Sequence, residues 1–519
     1  MSLRSPAACL LAIVLAAALT ACANVPVSSP QDSSVNASSN AQLDQVSLLD
    51  RLSFGATSSE AREIARVGRN AWLERQLHPP RSAALPAPVQ AQIAEMTINR
   101  TPMAELVRNL DTQRKNADAM ADDEQKKAAQ QAYQQELNRL TREASSRMLL
   151  RALYSPNQLQ EQMTWFWFNH FNVHQYKANI RVVVGDYEEQ LRAHALGRFR
   201  DLLEASVFHP AMIRYLDNEQ NAASRINENY ARELLELHTL GVDGGYTQRD
   251  VQELARVLTG LGINFNDDNA KVKPALQSFY VRRGLVEFNP NRHDFGEKQL
   301  LGMHIKGQGV GEIEQVLDAL ARHPATARFV SRKLAQYFVA DEPPRALVDR
   351  MSHRFIESDG RIADVLRTMI DSPEFQASLG HKFKDPVHYV VSAVRLAYDD
   401  KPILNTGPML GWLNRLGEAP YNRQTPDGYP LDAMAWAGPG QMNTRFEVAR
   451  AIGGGSAGLF KTEGAMPTER PAFPQLANPL YYNGIAPRLA SATRQALDQA
   501  ASPQEWNALL LSSPEFMHR

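Results

Sequence analysis

The stretch from Asn227 to Gly241 constrains the fold most strongly, because it has the pattern of a single amphipathic helix. Asn227 is a suitable N-cap residue, and glycine at position 241 is a residue type that ends helices. One broad face of this helix is apolar and carries Tyr230, Leu234, Leu235 and Leu237. A helix with such a face must pack against other elements, so the pattern predicts a helix inside a larger core.

The opposite face of the same helix is polar. Glu228, Arg232 and Glu236 are spaced by four residues, so a carboxylate lies one turn above and one turn below the guanidinium. Asn229 and Glu233 lie beside them. One interpretation is a solvated face with a ladder of ion pairs. The other is a polar cluster lining a cleft, where a carboxylate oriented by arginine performs acid–base or ligand-binding work.

Helical periodicity recurs through most of the chain, so we predict a mainly α, multi-helical globular protein within residues 42–519. Residues 276–306 are the exception, because short strand-like runs flank turns there and predict a small β-hairpin or meander insert. Residues 102–150 are long and polar, which predicts an extended helix or a helical hairpin that projects as a spacer or partner-contact arm. Residues 401–487 are rich in glycine, proline and aromatic residues, so we expect many ordered loops there.

Residues 1–21 have the features of a bacterial signal peptide. A positive start is followed by an apolar stretch, residues 7–19, that is too short to span a bilayer. The sequence Leu19-Thr20-Ala21-Cys22 resembles a lipobox, where cleavage precedes a lipidated cysteine. We therefore expect acyl chains on Cys22, such as palmitate, to anchor the protein in a membrane, with residues 22–41 as a disordered tether.

The residue after the lipidation site favours one destination. Ala23 stands where an aspartate would favour retention in the inner membrane, so we expect anchoring in the outer membrane. The alternative is a soluble secreted protein whose signal peptide happens to contain Cys22. With Cys22 lipidated and Cys9 removed with the signal peptide, no thiol remains for catalysis, for a disulfide or for a metal site.

Charge and familiar motifs narrow the function classes. A formal net charge of −1 provides no basic field, which argues against a nucleic-acid partner. The sequence contains no Gly-x-Ser-x-Gly elbow, no Walker loop, no dinucleotide fingerprint after a strand and no His-Glu-x-x-His motif. The familiar serine-hydrolase, nucleotide-binding and zinc-protease signatures are therefore missing.

Histidines are the remaining candidates for chemistry. His170 and His174 are four residues apart in an aromatic stretch, so they are either metal ligands on one helix face or hydrogen-bonded core residues. His293 and Asp294 are adjacent in the β insert, where the aspartate is also a residue type that favours turns. A divalent metal held by His170 and His293 stays open as an alternative. His238, on the apolar face of the central helix, is expected to be a core histidine bonded to a carbonyl.

The central helix belongs to a wider set of motifs. With them the chain resembles the bacterial domain-of-unknown-function family 1800, from about residue 43 to the end. The set comprises Leu52-Ser53-Phe54-Gly55-Ala56-Thr57, Asn169-His170-Phe171, Tyr215-Leu216-Asp217-Asn218, the Asn227 helix, Ala255-Arg256, His293-Asp294 with Lys298, Lys384 with Pro386, and Thr425-Pro426-Asp427-Gly428-Tyr429-Pro430.

The resemblance implies an exported bacterial protein without an established activity. Members are often encoded near proteins of family 1501, which resemble phosphatases or sulfatases, so such a protein is a candidate partner. The family often has His-Asn-His where this chain has Phe168-Asn169-His170, which weakens any mechanism that needs the first histidine. The resemblance favours the cleft interpretation of the central helix.

Two functional hypotheses follow. The first is a lipid-anchored envelope protein with a buried polar site, possessing hydrolase or lyase activity on an envelope polymer or glycan. One glutamate would act as base, and Arg232 would orient it or bind an anionic group. We expect catalytic residues Glu228, Arg232, Glu233 and Glu236, substrate-binding residues Asn169, His170, Asn229 and Asp294, and His293 converging on the same site.

The second hypothesis is a non-catalytic scaffold or assembly lipoprotein. The polar cluster would then be a buried network that fixes the fold, and residues 102–150 would contact a partner.

Overall fold

A computed structural model of the protein describes residues 45–80, 84–403, 405–461 and 473–519. The predicted signal peptide, the lipidation site Cys22 and the predicted tether lie outside these residues. No helix in the described ranges is both long enough and apolar enough to cross a membrane.

Helices before the β strands make up the first half of the fold. Residues 45–52 form α1. The following helices are α2 Ser58–Val67, α3 Arg69–Leu77, α4 Ala87–Glu95, α5 Thr97–Arg100, α6 Met103–Asp118, α7 Asp123–Tyr154, α8 Gln158–His170, α9 Val184–His194, α10 Phe199–Val207, α11 Pro210–Tyr215, α12 Asn229–Glu233 and α13 Gln248–Val257.

Helices after the strands complete the architecture. They are α14 Val310–Arg322, α15 Pro324–Phe338, α16 Arg345–Glu357, α17 Ile362–Ile370, α18 Pro373–Ser378, α19 Pro386–Tyr398, α20 Gly407–Arg415, α21 Pro439–Gly453, α22 Ser491–Asp498 and α23 Pro503–Ser512. The helices α20 and α21 lie within residues 401–487, where we expected mostly loops. Every residue of α19 is buried, as are nearly all residues of α8, so these two helices lie at the centre of the core.

Two small antiparallel sheets interrupt the helices. The strands β1 Leu261–Ile263, β3 Val286–Phe288 and β2 Val281–Arg283 form one sheet in that order. The strands β4 Lys298–Leu300 and β5 Met303–Ile305 form the other. The mainly α fold with a small β insert is therefore confirmed. The insert also recruits β1 from before residue 276, because Gly260 has a φ of +83° and turns the chain away from α13.

The polar stretch 102–150 is a helical hairpin. Its two helices, α6 and α7, are joined by a short turn, and Asp122 caps the second by accepting a hydrogen bond from the Gln125 N–H at 2.8 Å. The tip around residues 119–129 is largely exposed. From Tyr133 onward, one side of α7 is buried in the core, so only the tip of the hairpin projects.

The central helix is not α-helical throughout. After α12 the chain continues as a π-helix, Leu234–Thr239. The Thr239 hydroxyl donates to the Leu234 carbonyl at 2.6 Å, and the Leu240 N–H donates to the Leu235 carbonyl at 2.9 Å, so both bonds reach back five residues. Such π segments are rare and are frequently found at functional sites.

Candidate functional site

Glu233 is the last residue of α12 and directly precedes the π segment, and Glu236 lies within that segment. Glu233 is partly exposed, and no described residue donates a hydrogen bond or an ion pair to its carboxylate. Burial raises the pKa of Glu233, and the neighbouring carboxylates of Glu236 and Asp427 raise it further, although Arg232 opposes them. Glu236 accepts a hydrogen bond from the Tyr246 hydroxyl at 3.3 Å. Glu233 is therefore a carboxyl group that holds a proton more readily than an ordinary glutamate.

Asp427 lies on the loop that faces Glu233. Arg423 pairs with the Asp427 carboxylate at 3.0 Å, and the Thr425 hydroxyl donates to the same group. Asp427 is exposed, and its charge raises the pKa of both Glu233 and Tyr215. The loop therefore presents a second carboxylate, held by its own donors, within electrostatic range of the first.

Two asparagines from the end of α8 fix this loop. The Asn169 amide donates to the Tyr429 carbonyl at 2.9 Å and accepts from the Tyr429 N–H at 2.5 Å. Asn172 donates to the carbonyls of Arg423 and Thr425 at 3.0 and 2.8 Å. Since these bonds occupy the Asn169 amide, the structure gives that residue a positioning role instead of the substrate contact we expected.

Gly428 allows the loop to approach α8 closely. Its φ is +79°, and a Cβ there would lie 2.1 Å from the Asn169 carbonyl oxygen. Only glycine accepts this conformation and this contact without strain. The Thr425–Pro430 motif is therefore explained by the need to hold Asp427 beside the π segment.

Lys333 supplies a cation within electrostatic range of Asp427. It lies on α15, which packs against the π segment, and its Nζ is 5.6 Å from the ring centroid of Phe329. Its ammonium has no hydrogen bond or ion pair to any described residue. The side chain keeps some solvent exposure, yet the surrounding protein lowers the pKa of Lys333 to about 8, with Asp427 partly offsetting that effect. We call Glu233, Glu236, Lys333 and Asp427 the Glu233–Asp427 site.

Two buried histidines lie behind Lys333. The Nε2 of His170 is 3.0 Å from the His238 carbonyl, while its Nδ1 has no partner among the described residues. Both ring nitrogens of His238 are likewise without described partners. Burial lowers the pKa of His170, and it lowers that of His238 to about 3, with the Lys333 charge adding to each shift. Both rings are therefore neutral. His238 is a core histidine, and its backbone carbonyl, not its ring, makes the hydrogen bond with His170.

His174 does not share a helix face with His170. The helix α8 ends at His170, and residues 171–174 continue as non-helical chain. The i, i+4 geometry that a metal pair on one helix would need is therefore not formed.

The remaining polar residues of the central helix form a solvated ion-pair face. Glu228 pairs with Arg232 at 3.1 Å, and Gln248 bonds to both side chains at 2.7 and 2.9 Å. Asn229 is exposed and donates to the Leu216 carbonyl at 3.1 Å. Both sequence interpretations thus apply to part of the helix: its first turn is a partial ion-pair ladder, and the π segment lines a polar site.

His293 and Asp294 lie in a different network. His293 is bonded through Nδ1 to the Thr259 carbonyl and through Nε2 to the Glu312 carboxylate, both at 2.8 Å. Asp294 pairs with Arg256 at 2.8 Å. Lys298 donates to Glu312 at 2.6 Å and to the Asp294 carbonyl. We call this set the β-insert clamp; its members are Arg256, Thr259, His293, Asp294, Lys298 and Glu312.

The expected convergence on one site is therefore not observed. Neither His293 nor Asp294 has a hydrogen bond or ion pair to the central helix, because their polar atoms are taken by the clamp. His170 and His293 also belong to separate networks, and the described residues contain no cluster of three or more metal-ligating side chains. The geometry gives no support to a metal shared by these two histidines.

A large groove lies away from these residues. It has a volume of about 840 Å³, lies between α21, α22 and α23, and is lined by apolar side chains that include Phe446, Leu497 and Leu509. A large volume alone does not identify a functional site. Titratable groups with displaced pKa values and no bonding partner identify functional sites more often. We therefore place the candidate site at Glu233 and Asp427.

Sequence reasoning missed Asp427 and Lys333 as site residues. Asp427 lies inside the Thr425–Pro430 motif, but the turn-forming residues of that motif indicated only a loop. Lys333 occupies an ordinary position on an amphipathic helix, and nothing in its neighbours along the chain distinguishes it.

Comparison with known proteins gives one result. The model of a family described as "Protein of unknown function (DUF1800)" matches residues 47–518. No curated protein and no solved structure matches the chain.

Proposed function

The chain belongs to the DUF1800 family, and from that premise we propose that it is an envelope enzyme with an acid–base site, a hydrolase or lyase that acts on a polymer or glycan. The predicted signal peptide and lipidated Cys22 support an envelope location, with anchoring in the outer membrane. The proposal extends to a partner of the family-1501 type, which rests on the resemblance alone.

Two carboxylates in different environments carry the proposed chemistry. Glu233, with its raised pKa, is the proton donor to a leaving group. Asp427, held by Arg423 and Thr425, is the carboxylate that accepts a proton from water or stabilises developing positive charge. Pairs of carboxylates whose environments separate their pKa values are the common arrangement for cleaving glycosidic bonds.

The cations have separate roles in this proposal. Arg232 pairs with Glu228, so it does not orient the acid as we expected from sequence. Lys333 lies on α15, which packs against the π segment, and its pKa of about 8 leaves it mostly protonated at pH 7. It would bind an anionic group of the substrate next to the scissile bond.

One observation carries the proposal. Glu233 is a half-buried carboxyl group with a raised pKa, no bonding partner among the described residues and a place at the junction between α12 and the π segment. A carboxyl group that only stabilised the fold would be expected to have donors.

The test compares Glu233→Gln with Glu228→Gln, because both residues lie on the same helix and only Glu233 lacks a partner. Full-length protein is assayed for release of soluble fragments from purified envelope polymers, including peptidoglycan and exopolysaccharide. We expect Glu233→Gln to lose at least about 100-fold in rate and Glu228→Gln to stay within a few-fold of wild type. Equal activity in wild type and Glu233→Gln would refute the proposal.

The scaffold hypothesis rests on a different observation, the exposed tip of the α6–α7 hairpin. Met120, at the tip, is among the few large apolar side chains left exposed. Replacing residues 119–126 with a short turn should abolish co-purification of a stoichiometric partner if the tip is its docking site. Unchanged co-purification would count against the scaffold role.

A further inference from the structure

A pocket of about 110 Å³ lies away from the Glu233–Asp427 site and shares no residue with it. It is formed by α1, by the segment that precedes α19, by α19 itself, by the 3-10 turn Ala486–Arg488 and by the end of the chain after α23. Its walls include Asp50, Lys384, Leu396, Arg488, Glu515 and Phe516.

Lys384 is the unusual member of this lining. The residue is only 2% exposed, and its Nζ lies 4.0 Å from the ring centroid of Phe516, another wall of the pocket. No described residue accepts a hydrogen bond from this ammonium or forms an ion pair with it. Three arginines, Arg445, Arg488 and Arg519, oppose its charge, whereas among the groups acting on it only Asp50 supports it. The ring of Phe516 offsets only part of the cost of enclosing an ammonium, so this site without an accepting anion is unfavourable.

The carboxylates in the pocket wall are already engaged. Asp50 accepts from the Ala56 N–H at 2.9 Å and lies 3.5 Å from Arg488. Glu515 accepts from the Ala490 N–H at 2.7 Å and from the Thr493 hydroxyl at 2.9 Å. Neither carboxylate forms an ion pair with Lys384, so no described residue supplies the anion that would balance this lysine.

Lys382 is a nearby lysine whose role is only structural, and it serves as a comparison. It lies two residues earlier and is also buried, but its Nζ donates to the Asp341 carboxylate and to the Leu431 carbonyl, the latter at 2.7 Å. The ammonium of Lys382 therefore donates to protein acceptors, whereas that of Lys384 has no such acceptor among the described residues and its side chain lines a pocket.

We propose that this pocket binds a small organic monoanion, a short-chain monocarboxylate whose carboxylate contacts Lys384. Its hydrocarbon part would lie against Leu396 and Phe516. An apolar cavity of about 150 Å³ holds benzene, so a pocket of 110 Å³ suits a carboxylic acid of only a few carbons. Inorganic phosphate is disfavoured, because Asp50 and Glu515 repel a dianion more strongly than a monoanion, and the apolar surfaces of Leu396 and Phe516 suit a hydrocarbon chain.

The experiment measures the melting temperature of the full-length protein with and without butyrate at about 50 mM, and the heat of butyrate binding by titration calorimetry. Butyramide, an uncharged analogue of similar shape, and phosphate serve as comparison ligands. We expect butyrate alone to raise the Tm of the wild type, by about 2 °C or more. Lys384→Met should remove this rise and weaken binding at least about tenfold.

Two further variants locate the butyrate response within the molecule. Lys333→Met removes the unpaired lysine of the Glu233–Asp427 site, and it should keep the response. If Lys384→Met does not fold, Leu396→Trp fills the pocket while Lys384 remains, and it should remove the response.

Several outcomes would overturn the inference: no effect of butyrate on the wild type, a full response in Lys384→Met or in Leu396→Trp, or an equal response to phosphate. Loss of the response in Lys333→Met alone would move the binding to the other site and would also overturn it. Because the polymer assay uses neither butyrate nor Lys384, failure of either proposal leaves the other intact.

Discussion

The β-insert clamp and the Glu233–Asp427 site are both built from charged residues, but their polar atoms have different hydrogen-bond partners. In the clamp, the Glu312 carboxylate accepts from His293, Lys298 and the backbone N–H groups of Gln308 and Gly309. In the site, Glu233 and Lys333 have no bonding partner among the described residues.

This difference separates structural from functional polar groups. Buried polar groups are almost always hydrogen-bonded, so a group that is not must have another reason to be there. The clamp needs no ligand, since its members satisfy one another. Glu233 and Lys333 keep their bonding capacity free at a partly exposed surface, as groups that meet a substrate must.

The largest effect should come from breaking the clamp. Glu312→Ala would remove the only carboxylate that pairs with His293 and Lys298 among the described residues, and both side chains are fully buried. We expect the free energy of unfolding to fall by about 3–5 kcal/mol, measured by urea denaturation. A loss similar to that of an exposed ion pair, below about 1 kcal/mol, would contradict the structural role.

Removal of the loop anchor should give an intermediate effect. Asn169→Ala leaves the buried N–H and carbonyl of Tyr429 unpaired, so we expect a loss of about 1–3 kcal/mol. Protection of the 423–429 backbone from hydrogen exchange should fall at the same time. If Asn169 instead contacted substrate only, stability and exchange would both stay at the wild-type level.

The two regions should respond to pH with opposite signs. Burial alone would raise the pKa of Glu312, but bonds from His293 and Lys298 outweigh it and lower the pKa below that of an unfolded glutamate. This group therefore adds stability above the unfolded pKa, and that stability is lost as pH falls through the lower folded pKa. The raised pKa of Glu233 works the other way and favours the folded state as pH falls.

Denaturation curves from about pH 3 to 7 check this difference. Relative to wild type, Glu312→Gln should flatten the loss of stability at acid pH, and Glu233→Gln should steepen it. The check is the sign of each change relative to wild type, because the bonds to Glu312 and the burial of Glu233 shift the two pKa values in opposite directions. If both variants changed the pH dependence of stability in the same direction, that result would contradict the opposite shifts of the two pKa values.

The smallest effect on stability should come from the site itself. Glu233 makes no hydrogen bond or ion pair within the described residues, so Glu233→Gln at pH 7 should change the free energy of unfolding by about 0.5 kcal/mol or less. A loss of several kcal/mol would instead place Glu233 in a structural network like the clamp.

Much of the fold could be predicted from local pattern. Most of the apolar face of the central helix is buried as predicted: Tyr230, Leu234 and Leu235 are 0% exposed, whereas Leu237 is only partly buried. The π segment could not be predicted, because six residues are too few to show a period of their own, and its backbone bond from the Leu240 N–H to the Leu235 carbonyl is visible only in the structure.

Long-range contacts are the reason that part of the site was missed. Nothing near Asn169 in the sequence indicates that its amide will hold the loop of Tyr429, or that Asp427 will face the central helix. His293 was a candidate because its residue type suits chemistry, but a histidine satisfied on both nitrogens is indistinguishable in sequence from a free one. Residue type was therefore informative about where polar clusters lie, and not about which cluster is unsatisfied.

The most direct test of the central claim is the pKa of Glu233 itself, measured by NMR titration of the side-chain carboxyl carbon in glutamate-labelled protein, with Glu233→Gln to assign the signal. We expect a midpoint above the ordinary glutamate value of about 4.3, which moves down in Asp427→Asn, because a neighbouring negative charge has been removed. A midpoint at or below that value, unchanged in Asp427→Asn, would contradict the proposed acid–base role, because Glu233 would then be an ordinary surface carboxylate.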